Sequence, residues 1–282
     1  MNLKEYARQI LEGGSLEDKL LDINPLIEEK SSPINFKIPS SPSREGVIAF
    51  SNKQIRFPKV SSFHLREKRA MALHFFANHE LLAIEMMAAF LLYFPDDKEN
   101  LKLKKGVLSS LKDEQKHLRM YLKRMKDLDG LELGGYPLND FFWRQMKELN
   151  SPEKFLSFMS LTIEAANLDF AIYYKEVFDR LGDVDSSNLM GIILKDEIKH
   201  VGLGYYWLNF WSRDNNLWEY YKSLLPEKVT PARAKGMIFN ASARLKAGMD
   251  EEFIRNVENY RDDFLVTDRK KWKFKNENGL HL

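Results

Sequence analysis

The chain has 282 residues, 44% hydrophobic and 30% charged, with a formal net charge of +2. That length can bury a sizeable core, as one large domain or two small ones, and so mild a charge demands neither nucleic acid nor an anionic membrane as partner. There is no cysteine, which excludes disulfides, thiolate nucleophiles and cysteine-ligated clusters or zinc, so any metal must be held by carboxylates and imidazoles.

Residues 1–24 carry acids and lack a long apolar run. They read as one or two short helices, not as a signal peptide. Residues 25–60 hold Pro25, Pro33, Pro39, Pro42 and Pro58 with serines between them, the pattern of an extended arm. From about His64 the pattern is helical. Helix A is predicted over 64–94, stopped at Phe94-Pro95, and helix B over 100–127, ending before Asp129-Gly130. The most apolar run, Leu81 to Phe94, is interrupted by Glu85 and is too short to span a bilayer. A soluble, cytoplasmic protein is therefore expected. The loop 131–139 contains Gly134, Gly135 and Pro137, and a short helix is expected over 139–149. Pro152 opens helix C, with Ser151 as its N-cap, and Gly182 ends it after about Leu181. Helix D is expected over 185–212, then helices near 231–247 and 250–262 and a basic end, RKKWKFK, at 269–275. The expected division is in three: residues 1–63 as N-terminal helix and arm, 64–212 as a bundle, and 213–282 as a C-terminal helical extension.

Four long helices in this order predict an all-α fold built on a four-helix bundle. Their spacing carries a repeat. LKDEQKH at 111–117 returns as LKDEIKH at 194–200, 83 residues on. Glu80 and Glu85 of helix A return as Glu164 and Asp169 of helix C, 84 residues on. The halves A–B and C–D thus form a pseudo-repeat. Glu114 and His117 fall inside the apolar stripe of Val107, Leu111, Leu118, Tyr121 and Met125. Glu197 and His200 fall in that of Met190, Ile193, Val201 and Leu208, Glu80 in that of Leu73, Ala77 and Ile84, and Glu164 in that of Leu161, Leu168 and Ile172. An uncompensated buried carboxylate is costly or neutralises itself, and no Lys or Arg lies in these stripes. Divalent metal is the natural compensation.

One Glu from each of two helices and Glu-x-x-His from each of the other two is the ligand set of a carboxylate-bridged dimetal bundle, and such oxygen and imidazole ligands suit iron or manganese. The expected ligands are Glu80, Glu114, His117, Glu164, Glu197 and His200, holding two iron ions, with manganese as the alternative. Spacing selects Glu80 over Glu85: Glu164 to Glu197 is 33 residues, Glu80 to Glu114 is 34, and Glu85 to Glu114 is 29. Glu85 and Asp169 then stand behind the ligands or pair with a neighbouring Lys or Arg. Asp113 and Asp196 precede the ligand glutamates, positions from which a carboxylate can take the other ring N–H of His200 and His117. Tyr121, two turns beyond Glu114, is the candidate catalytic tyrosine. His74 and His79 lie off the ligand stripe and read as hydrogen-bonded structure.

Residues 64–212 resemble the ferritin-like di-iron carboxylate superfamily, which includes rubrerythrin, bacterioferritin, ribonucleotide reductase small subunits and di-iron hydroxylases. A closer likeness is to an uncharacterised bacterial ferritin-like family grouped near the tRNA hydroxylase MiaE. Its pattern of H-x4-HEL-x-AIE, DE-x-x-H, E-x4-D and DE-x-x-HV is similar to HFFANHELLAIE (74–85), DEQKH (113–117), EAANLD (164–169) and DEIKHVGLG (196–204) here. FNASARLKAG (239–248) resembles its closing FN-x-x-AR-x-x-AG. The chain departs from it in helix C, where Ala166-Asn167 stands in place of a frequent Arg-Gly, a change that bears on the substrate cavity.

The resemblance implies a centre that activates O2, hence an oxidase or monooxygenase, with the flanking segments roofing a substrate pocket. Asn240 and Arg244 on the tail helix can bind a polar or anionic substrate group, or serve as a cap and a salt bridge. The expected partners are O2, a small-molecule substrate and an external electron donor, with no membrane, no nucleic acid, and a homodimer as the candidate assembly. The alternatives are ferroxidase or iron-handling activity, peroxide scavenging without an organic substrate, and a tRNA-modifying hydroxylase whose basic tail at 269–275 touches RNA.

Overall fold

Apolar residues at helical spacing run through most of this chain, and the computed structural model, which describes residues 1–27, 38–94, 98–213 and 215–262, is all-helical over them. Extended pairing among the described residues is limited to isolated bridges, Asn2 to Leu26 and Phe50 to Leu138. The chain divides into two compact units, Met1–Pro152 and Glu153–Leu282. Each contains one pair of long helices and one Glu-x-x-His. This division falls between the halves of the repeat. The N-terminal arm belongs to the first unit and the C-terminal helices to the second.

In the first unit, α1 (Leu3–Glu12) and the single turn α2 (Leu16–Lys19) precede the arm. Two long helices follow, α3 (Arg66–Tyr93) and α4 (Lys98–Asp127), and they pack along each other with α1 against α3. Asn2 and Ser15 each close a capping box, which fixes where α1 and α2 start. From Glu80 to Leu92 every residue of α3 is buried, so this helix is apolar all round and not one-sided. The apolar run from Leu81 lies inside this longer helix. α3, and likewise the helical stretch Pro152–Arg180, is long and apolar enough to cross a membrane by length and composition, yet 83% and 78% of their apolar windows are buried inside the protein. Asp129 takes a left-handed conformation and the Gly130 N–H reaches back to the Met125 carbonyl, closing the end of α4. The short helix expected over 139–149 is reduced to a 3₁₀ turn at Trp143–Gln145.

The second unit opens with α5 (Pro152–Phe158), which passes through a π-helical stretch, Met159–Glu164, into α6 (Ala165–Arg180). Gly182, at φ 69°, ends α6, and the Asp183 side chain accepts from the Ser186 N–H to start α7 (Val184–Ser212). α6 packs along α7, and α8 (Leu217–Leu224), α9 (Ala241–Lys246) and α10 (Glu251–Asn259) build a core on this pair. Leu161, Leu168, Leu208, Tyr221 and Phe253 lie at its centre, each contributing on the order of 1.5–3 kcal/mol by leaving water. Tyr205 ties α7 to Asp250 at the start of α10 by its hydroxyl. The sequence reading misses α8, a short helix capped by the Asn216 side chain, which accepts from the Glu219 N–H at 3.0 Å.

The π stretch is the main departure from the expected continuous helix C, and its neighbours explain it. Thr162 Oγ1 donates to the Ser157 carbonyl at 2.8 Å and shares a hydrogen bond of 2.8 Å with the Tyr221 hydroxyl. That hydroxyl also donates to the Leu161 carbonyl at 3.3 Å. Polar side chains thus meet backbone groups that an α register would have paired differently. Gly204 of α7 gives the bulge room, since a Cβ there would lie 2.3 Å from the Ser160 Cβ.

Candidate metal centre

The first unit brings Glu80 of α3 together with Glu114 and His117 of α4, one ligand atom from each lying within 4.8 Å of the others. Glu114 and His117 are three apart, so they share a helix face. The Nδ1 of His117 lies 3.3 Å from Glu114 Oε2. All three side chains are buried, at 5%, 1% and 0% exposure. Glu80, and not Glu85, supplies the α3 carboxylate.

The second unit repeats the arrangement with Glu164, at the end of the π stretch, and Glu197 and His200 of α7. Their ligand atoms are again within 4.8 Å of one another and all three residues are buried. His200 Nδ1 lies 3.6 Å from Glu197 Oε2 and 4.0 Å from Glu164 Oε1. In both triads the Nδ1 nitrogen faces carboxylate. Asn167, half-buried and one turn after Glu164, donates its amide to Glu197 Oε1 at 2.7 Å.

The donor chemistry fits a metal ion. The chain neutralises two other buried acids with organic cations. Arg44 of the arm grips Glu85 by Nε (2.9 Å to Oε1) and Nη2 (2.7 Å to Oε2), and Lys19 Nζ approaches Oε1 at 3.3 Å. Burial pushes the Lys19 ammonium below its ordinary value, and Glu85 draws it back up. In the second unit Arg244 holds both oxygens of Asp169 at 2.7 and 2.9 Å. The triads instead set carboxylates against carboxylates and imidazoles. Two glutamates and one histidine are a hard, oxygen-rich set suited to a divalent ion, and such an ion removes the repulsion between buried carboxylates.

The remaining expected residues are placed as follows. Glu85 and Asp169 are held by cations brought from the arm and from α9. Of the two readings open for Asn240 and Arg244, the contacts seen are the cap and the salt bridge. Asn240 caps α9 by accepting from the Ala243 N–H, and Arg244 is fully buried, with further donations to the carbonyls of Ala165, Ala234 and Asn240. Asp113 pairs with Lys116 at 3.1 Å and Asp196 with Lys199 at 2.7 Å, each three residues on. Tyr121 is buried on α4 one turn past His117, with Phe76 at 5.9 Å between ring centroids. His74 accepts at Nε2 from the Gly134 N–H at 3.0 Å and pins the 131–139 loop. Burial pushes His74 down to about 4, so the ring is neutral. The basic stretch 269–275 lies outside the described residues. Sequence reasoning missed the partners Lys19 and Arg44, because nothing in local periodicity links an arm to a helix 41 residues away. It noticed Asn167 only as an unusual residue.

An open cleft of about 900 Å³ also lies in the first unit, bounded by Leu16, Val47, Leu122, Met125 and Leu131. It reaches α4 at Leu122, five residues past His117 and so roughly 7–8 Å further along the helix axis.

The model of a family described as "Protein of unknown function (DUF455)" matches residues 6–255 of this chain. An "Uncharacterized protein" of Haemophilus influenzae is 26% identical over 221 residues, covering 74% of this chain and 75% of that protein. No solved structure matches.

Proposed function

We propose that this chain, which belongs to the DUF455 family, is a di-iron oxidoreductase of the ferritin-like kind that uses O2 to oxidise or hydroxylate a bound small molecule. The observation that carries the proposal is the pair of buried Glu/Glu/His triads at repeated positions, Glu80, Glu114 and His117 in one unit and Glu164, Glu197 and His200 in the other. In this reading α3 with α4 and the α5–α6 helix with α7 are the two helix pairs of the repeat, and each triad would hold one ion, two in the chain. When bound, those ions supply the redox chemistry of O2 activation.

The chain's own residues do the rest. The four glutamates would supply oxygen ligands, and the two histidines, whose Nδ1 atoms face those carboxylates, would supply imidazole nitrogen. The apolar side chains around them exclude water, so only a substrate held beside the centre is oxidised. Tyr121, one turn past His117, is the phenol assigned to move a proton at the centre. The cleft that reaches Leu122 is the space assigned to an organic substrate in the first unit. An external electron donor completes the reaction's balance.

The test is the metal content of protein from iron-supplemented cells, with O2 uptake after anaerobic reduction. The expected result is two irons per chain and prompt O2 consumption, both lost in Glu114→Ala and Glu197→Ala while the helical content is kept. A wild-type protein that takes up neither iron nor manganese would sink the proposal. Uptake of many irons per chain would favour iron handling instead.

A further inference from the structure

The two triads are alike in residue type while one neighbouring position of the repeat differs, Asn167 against Ala83, and from this difference we infer that Asn167 is a positioning residue that makes the two metal positions unequal. The inference rests on the metal-binding reading above. Asn167, in the first turn of α6, is three residues past Glu164 at the end of the π stretch, so the two lie on one side of the continuous helix. Its amide nitrogen donates to Glu197 Oε1 at 2.7 Å. The other oxygen, Oε2, is the one facing His200 Nδ1 at 3.6 Å. The amide therefore orients the carboxylate plane and leaves Oε2 turned toward the imidazole. An ionised carboxylate has lone pairs to spare, so the contact does not compete with a metal for Oε2. It fixes Glu197 to present one oxygen.

The repeat identifies the corresponding place in the first unit. Glu80 answers to Glu164 at an offset of 84, so Asn167 answers to Ala83. Ala83 is buried on α3 and has no side-chain donor. The same contact cannot form there. A ligand already held in its bound orientation loses less freedom when an ion arrives, and loss of such an outer partner typically lowers metal affinity by about 10–100-fold. The second unit's triad therefore fills first and the first unit's second.

Metal-free full-length protein titrated with Co(II) under anaerobic conditions, followed by visible absorption and calorimetry, tests this. Wild type is expected to bind two Co(II) in two affinity classes. Asn167→Ala and the isosteric Asn167→Asp should weaken the tighter class by about 10–100-fold and alter its absorption bands. The weaker class and the thermal midpoint of the metal-free protein should stay near wild type. Two unchanged classes in both variants would overturn the role of Asn167 while leaving the metal site standing. Equal weakening of both classes with a lowered thermal midpoint would show a purely structural residue and also overturn it. A wild-type protein that binds no Co(II) would remove the metal site and the inference together.

Discussion

Glu85 and Asp169 each lie five residues past a triad glutamate, about 140° round the helix from it, and each is met by an arginine resting on an aromatic ring. Arg44 sits 4.1 Å from the Phe50 ring centroid and Arg244 3.9 Å from that of Phe239. These are buried, bidentate pairs, and removing one partner strands a charge. Arg244→Met is therefore expected to cost about 3–5 kcal/mol in urea unfolding, and the double change Asp169→Leu with Arg244→Met to recover most of it. His74 gives a pH signature. Its folded value of about 4 lies below the ordinary 6.5, so its contribution is intact above 6.5 and is lost as pH falls toward 4. The loss is about 2 kcal/mol by pH 5. His74→Gln keeps an acceptor for the Gly134 N–H, and the pH 7 to pH 5 difference in stability should shrink by that amount. The acids were conspicuous in the sequence because each interrupts an apolar helix. Their partners were not, since contacts over 41 and 75 residues leave no period to read.

The long helices were legible almost to their ends, because apolar spacing, Pro152 and Gly182 all act locally. Burial all round α3 was not, for a helix with no polar face gives periodicity nothing to contrast. The π stretch was also hidden. It depends on Tyr221 from α8 and on the missing side chain of Gly204, and neither is near Met159–Glu164 in sequence. Gly204→Ala forces a methyl against Ser160 and is expected to cost about 1–3 kcal/mol despite the better helix propensity of alanine. Chemical denaturation measures that cost, and hydrogen exchange should locate the loosening in residues 159–164. A variant as stable as wild type would mean that the bulge yields freely.

Over the whole molecule, the proposed metal-binding role implies that the triads trade stability for binding. Buried carboxylates set against one another weaken the metal-free fold, so Glu197→Gln is expected to raise its thermal midpoint while lowering metal affinity. Conversely, an ion that binds only the folded protein adds about 2.7 kcal/mol at a free concentration of 100 times its Kd. Thermal shift against Co(II) concentration checks both statements in one series. The chain order of the charge clamps has a further consequence, in time. Arg44 precedes Glu85 by 41 residues, so on the ribosome the cation is already made when its acid appears. Asp169 must wait for Arg244, 75 residues later. At about 5–20 residues per second that is an interval of roughly 4–15 s. During it the second half of the nascent chain carries a helix acid with no counter-charge, and a translational pause before residue 244 would prolong the period in which a chaperone or a protease finds it.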